Sequence, residues 1–203
     1  VPFHGSVPAF IAVLGEGPGK EEDAAGRPFV GPAGRLLRQH LTGVGLDPES
    51  LTWMKATWCW AGVGTNPTSA QVAACEPNRR SQLELLNPSY LLVFGATALG
   101  SIRPGLPIRR SRGKAFLHGS AVTWAVYHPS AILRNHLMEQ PFREDLEAFV
   151  DLVDVGRDRW WEFVSERCYE CPDVVDRYDE TGVGKCRRHW APRTSSVSGE
   201  SYS

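Results

Sequence analysis

Short apolar runs that stop at a glycine or proline recur along this chain, separated by segments with helical spacing. "AFIAVLGE" reaches Gly15, "LTWMKATW" follows, and "YLLVFG" and "GSAVTWAVYHP" come later, the last ending at His128. Between them, "AGRLLRQHLTGVG" and "SAQVAACEPNRRSQLELLNP" carry apolar residues at helical intervals, the second starting at Ser69. "REDLEAFVDLV" then places Leu146, Phe149, Val150 and Val153 on one helical face. Strands that are apolar throughout and alternate with helices build a mostly parallel sheet covered on both faces. The expected fold class is therefore α/β: a three-layer αβα domain over residues 1–155 with a central, mostly parallel four-stranded sheet. Ligands of such sheets bind beyond the carboxyl ends of the strands. The glycine-rich segment after the first strand and "HPSAILRN" after the last should meet at that edge.

"GEGPGKEEDAAGRPFVGPAG", Gly15 to Gly34, sets a carboxylate, Glu16, inside a glycine cluster whose backbone can approach another group closely. A phosphate-binding P-loop requires wider glycine spacing and a Ser or Thr after the lysine, and "GEGPGKE" has neither. The dinucleotide fingerprint fails on spacing as well. At 203 residues and 42 % hydrophobic content, the chain suits one globular domain plus a small appendage.

The net charge of -1 conceals an asymmetry. No Asp or Glu occurs from Leu85 to Met138, where Arg103, Arg109, Arg110, Arg112, Lys114 and Arg134 supply positive charge. From Glu139 to Glu180 the balance is acidic. A basic middle, including a basic loop from Pro104 to Arg112, suits phosphate contacts, and an acidic helix surface points elsewhere. No run of eighteen apolar residues and no signal sequence is present. That reads as a soluble, cytoplasmic protein with no membrane partner.

"GEGPGKEEDAAGRPFVGPAGRLL" together with "YHPSAILR" resembles the uracil-DNA glycosylase superfamily, and most of all its iron-sulfur branch, family 4, over Val1 to Val153. The resemblance implies a monofunctional hydrolase that flips a pyrimidine nucleotide out of single- or double-stranded DNA, cuts the base from its sugar and leaves an abasic site. A monomer is expected. By the same resemblance, Glu16 steers water and stabilises the sugar cation, and His128 donates to the departing base. Gly15, Gly17 and Gly19 let the backbone approach base and sugar, and Phe29 stacks on the base. Ser130 contacts a phosphate, Ile132 or Leu133 fills the hole left by the flipped base, and Arg134 meets the strand backbone, with Arg109, Arg110 and Arg112 as further DNA contacts. Lys55 stands where the branch carries an asparagine that reads uracil, and Gly19 where uracil-restricted relatives carry a tyrosine. A lysine offers donors only, which leads to the expectation that a modified pyrimidine is preferred to plain uracil. An alternative from another class is a non-catalytic module that recognises a base and recruits a partner through its tail.

The five cysteines fall into two groups. Cys59 and Cys75 have the spacing of two ligands of the branch's 4Fe-4S cluster, and the upstream Cys-x-x-Cys that supplies the other two is expected to precede Val1. Cys168, Cys171, Cys186 and His189 form C-x2-C and C-x2-H pairs, the pattern of a zinc site. Metal would then fold a zinc-ribbon-like segment over residues 160–192, ahead of a disordered tail over 193–203. Alternatively, Cys168 and Cys171 complete the cluster with Cys59 and Cys75.

Overall fold

The computed structural model describes residues 1–163 and the strand backbones of residues 175–178 and 184–186. Strands β1 (Ile11–Gly15), β2 (Thr52–Lys55), β3 (Tyr90–Phe94), β4 (Ala115–His118) and β5 (Ala121–Val126) form one sheet in the order β2-β1-β3-β5-β4. All neighbours are parallel except β4, which runs antiparallel to β5. The sheet thus has five strands rather than the expected four. β4 escapes a sequence reading because it is a short edge strand whose Leu117 and His118 are only half-buried, whereas the other strands are buried at every position.

The helices are α1 (Lys20–Ala25), α2 (Pro32–Gly43), α3 (Ser69–Ala74), α4 (Glu76–Leu86), α5 (Gly95–Ile102), α6 (Ile108–Ser111), α7 (Pro129–Arg134) and α8 (Glu139–Val155). Alternate side chains of each strand enter opposite layers. On one side Val13, Trp53, Leu92 and Trp124 pack with Leu37 and Leu41 of α2 and with Phe142, Leu146, Phe149 and Leu152 of α8. On the other, Ala12, Leu14, Met54, Leu91 and Val93 pack with Leu86 of α4 and Ala98 and Leu99 of α5. Each large side chain fully buried here contributes about 1.5–3 kcal/mol.

Three boundaries differ from the periodicity. The long helix expected after Ser69 divides at Cys75, because Pro77 in the first turn of α4 has no N–H to donate and forces a restart. Helix α8 begins at Glu139, and its buried face runs through Phe142 and Leu152 while Val150 stays half-exposed. The segment Pro104 to Arg112, expected as a loop, contains α6. Strands β6 (Val175–Tyr178) and β7 (Gly184–Cys186) pair antiparallel with each other. The zinc-ribbon and disordered-tail expectations otherwise fall outside the described residues.

Candidate active site

The carboxyl ends of β1, β2, β3 and β5 deliver Glu16, Lys55, Gly95 and His128 to one edge of the sheet. Gly15 pairs in register with Lys55. Beyond them, Ala56 N–H donates to the Gly15 carbonyl at 2.8 Å and Thr57 N–H to the Glu16 carbonyl at 3.1 Å. The glycine loop therefore leaves the sheet tied to the exit of β2, with Glu16 half-buried.

His128 caps α7. Its Nδ1 accepts the backbone N–H of Ser130 at 3.2 Å and lies 2.8 Å from the Ser130 hydroxyl. With Nδ1 accepting, the proton of the neutral ring sits on Nε2, which becomes a donor. Burial first, then the cations of Lys55 and Arg134, push the His128 pKa down to about 3, so the ring is neutral at physiological pH. Behind it, Gly95 has φ +89°, and a Cβ there would stand 2.8 Å from that of His128. Only glycine combines that backbone with that approach.

A buried acid organises the rest of the loop. Glu22, on the first turn of α1 and 6 % exposed, accepts the backbone N–H of Gly19 through Oε2 and that of Phe29 through Oε1. The same Oε1 lies 3.0 Å from Lys55 Nζ. That ammonium stands 3.7 Å above the centroid of the Phe29 ring, a cation–π arrangement. Burial lowers the Lys55 pKa, opposed by the charges of Glu22 and Glu16. Phe29 has φ +58°, a left-handed conformation that costs about 1–3 kcal/mol and persists only where its surroundings hold it. Gly34 is part of that hold, since a Cβ there would lie 2.1 Å from the Phe29 carbonyl oxygen.

These contacts change the expected roles of several residues. Phe29 is 1 % exposed, packed against Trp53 and topped by Lys55, so the open stacking surface expected of it is absent from this arrangement. Gly15 approaches the Phe29 ring, where a Cβ would meet Cζ at 2.4 Å, and Gly17 approaches the Thr57 hydroxyl. Gly19 has only the Glu22 carboxylate nearby. Ile132 belongs to the core, whereas its neighbour Leu133 is 55 % exposed. Ser130 is half-buried, and Arg134, Arg109 and Arg110 are exposed. Arg112 turns inward: its guanidinium donates to Asp145 Oδ2 at 2.8 Å and to the Pro141 carbonyl at 2.6 Å, and lies over the Tyr127 ring. It is committed to the fold rather than to a phosphate.

Cys59 is exposed and Cys75 half-buried. The backbone nitrogen of Val1 donates to the carbonyl of Trp58, the residue before Cys59, at 2.5 Å. Among the described residues no group of three or more His, Cys, Asp or Glu side chains could hold a metal ion. Cys168, Cys171 and His189 lie outside the described residues, and of Cys186 only the strand backbone is described.

The sequence reading passed over Glu22, Gly95 and Thr57. Glu22 sits in the acidic run "KEED", which looks like solvated helix surface, and its only signal is its place on the first turn after a glycine, where a carboxylate reaches back to a free N–H. Gly95 directly follows an apolar strand, the position at which a site glycine belongs. The Thr57 hydroxyl is buried beside Gly17 without a hydrogen-bond partner.

A family model described as the uracil DNA glycosylase superfamily matches residues 2–150. The chain is 34 % identical over 142 residues to a type-4 uracil-DNA glycosylase of Thermotoga maritima, covering 66 % of this chain and 72 % of that protein. It is 30 % identical over 158 residues to one of Pyrobaculum aerophilum, covering 73 % and 81 %, and 30 % identical over 164 residues to one of Archaeoglobus fulgidus, covering 75 % and 81 %.

Proposed function

The chain belongs to the uracil DNA glycosylase superfamily, and from that premise we propose that it is a monofunctional DNA glycosylase: it hydrolyses the bond from a flipped-out pyrimidine, uracil or a modified relative, to its deoxyribose and leaves an abasic site. The observation that carries the reading is the placement, at one sheet edge, of the Glu16 carboxylate and of a neutral His128 whose Nε2 is the donor.

In the proposed reaction the C1′–N1 bond breaks and its electron pair leaves with the base, so the sugar becomes an oxocarbenium-like cation. Glu16 stabilises that cation and takes a proton from the water that adds to C1′. The Nε2–H of His128 donates to the base oxygen where negative charge collects, an interaction stronger in the transition state than in the ground state. The base anion is protonated from solvent on release. Leu133 fills the gap left in the duplex, and Ser130, Arg134, Arg109 and Arg110 meet phosphates. Gly17 and Gly19 keep the loop backbone low over the sugar and base.

The 4Fe-4S cluster of the branch takes four thiolates. The described residues offer two, Cys59 and Cys75, so they do not complete the set, and no step runs through it. If a cluster is present, these two thiols hold half of it. The zinc reading of Cys168, Cys171, Cys186 and His189 rests on spacing, as does the division into residues 1–155 and 160–192. Iron and zinc analysis of protein purified without air separates these assignments.

The function is tested with single- and double-stranded oligonucleotides carrying uracil or modified pyrimidines, followed by alkali. Strand cleavage at the target base after alkali, together with free base in solution, is the expected result. DNA binding without release of any pyrimidine would refute it.

A further inference from the structure

The mechanism above leaves one charged group at the site unused. Lys55 is 4 % exposed, anchored to Glu22 at 3.0 Å and fixed over the Phe29 ring at 3.7 Å. Burying an ammonium is costly, and replacing such a pair with apolar side chains is often neutral or stabilising. The chain nevertheless keeps this one at the same sheet edge as Glu16 and His128, the two groups that face the proposed reaction. Its charge acts on both: it helps hold His128 neutral, and it interacts with Glu16.

Resting on the glycosylase reading, we infer that Lys55, positioned by Glu22, supplies the fixed positive charge that neutralises the departing base. When the C1′–N1 bond breaks, the electron pair passes to N1 and spreads over O2 and O4 of the pyrimidine. No proton need move from Lys55, because a fixed ammonium in a poorly solvated site stabilises that anion through its field. Glu22 is a positioning residue. Its carboxylate accepts two backbone N–H groups, so it cannot move without disturbing Gly19 and Phe29, and it holds the ammonium in place. The substrate class that follows is a pyrimidine whose anion leaves with difficulty. A more acidic base, such as 5-fluorouracil, needs this charge least.

The test is the dependence of single-turnover excision on the leaving base, with uracil and 5-fluorouracil in the same oligonucleotide. For Lys55→Gln, uracil release should slow at least about 100-fold and 5-fluorouracil release less than about tenfold. Equal slowing of the two would overturn the inference, since a structural or base-reading role does not discriminate by acidity. Lys55→Gln leaves the Glu22 carboxylate buried and unpaired, so Glu22→Gln/Lys55→Gln, which removes both charges, serves as the second variant. A wild type that releases neither base would remove this inference, and the glycosylase reading falls with it only if no other pyrimidine is released either.

Discussion

At the scale of the residue, the proposed chemistry depends on a neutral His128, and the chain keeps it so with burial, the nearby cations of Lys55 and Arg134 and a backbone hydrogen bond. Its folded pKa of about 3 lies below the unfolded value near 6.5. As pH falls through that window the unfolded chain binds the proton first, so stability is lost on acidification. His128→Ala should therefore melt with a flatter pH dependence between pH 6.5 and 4, measured by thermal denaturation. The same variant should slow excision by about 100-fold while changing DNA affinity by less than about threefold, because the donor acts mainly on charge that develops at the transition state. Comparable losses in rate and affinity would assign His128 to binding instead. The activity of the wild type should show no acid limb near pH 6.5.

At the scale of the element, the Gly15–Gly34 segment is self-supporting. Glu22 closes it onto Gly19 and Phe29, and Gly34 makes room for the left-handed turn. Gly34→Ala should abolish soluble folding, because its Cβ would have to displace backbone. The basic segment divides by contact. Arg109→Ala/Arg110→Ala should leave the melting temperature within a few degrees and make the slope of log affinity against log salt shallower by one to two units, as each phosphate contact releases about one counterion. Arg112→Ala should leave that slope unchanged and cost about 2–3 kcal/mol by stranding the buried Asp145. Leu133→Ala should impair double-stranded more than single-stranded substrate, since only a duplex leaves a gap to fill. The contiguous motifs were legible in the sequence because their residues lie close along the chain, although the contact of Glu22 with Phe29 inside the first motif was not. Arg112 was misread because its partner lies 33 residues away, a separation that no local pattern encodes. The placing of Lys55 over Phe29 joins β2 to the turn before α2, and it too appears only when the sheet is assembled.

At the scale of the whole molecule, four parallel strands bring Glu16, Lys55, Gly95 and His128 together from positions spread over more than half the chain. The layer architecture was legible because β1, β2, β3 and β5 are largely apolar and buried at every position. The fifth strand was not, because β4 is short and its last two residues, Leu117 and His118, are only half-buried. No helix among the described residues is long and apolar enough to cross a membrane. The central claim is that this edge cuts a glycosidic bond with Glu16 as the group that meets the sugar cation. The most direct measurement is single-turnover release of base from a uracil-containing oligonucleotide, at enzyme concentrations that saturate the DNA, for the wild type and Glu16→Gln. The account predicts free base and an alkali-labile site from the wild type, and a rate at least about 100-fold lower from Glu16→Gln at equal occupancy. Release by Glu16→Gln at the wild-type rate would contradict it.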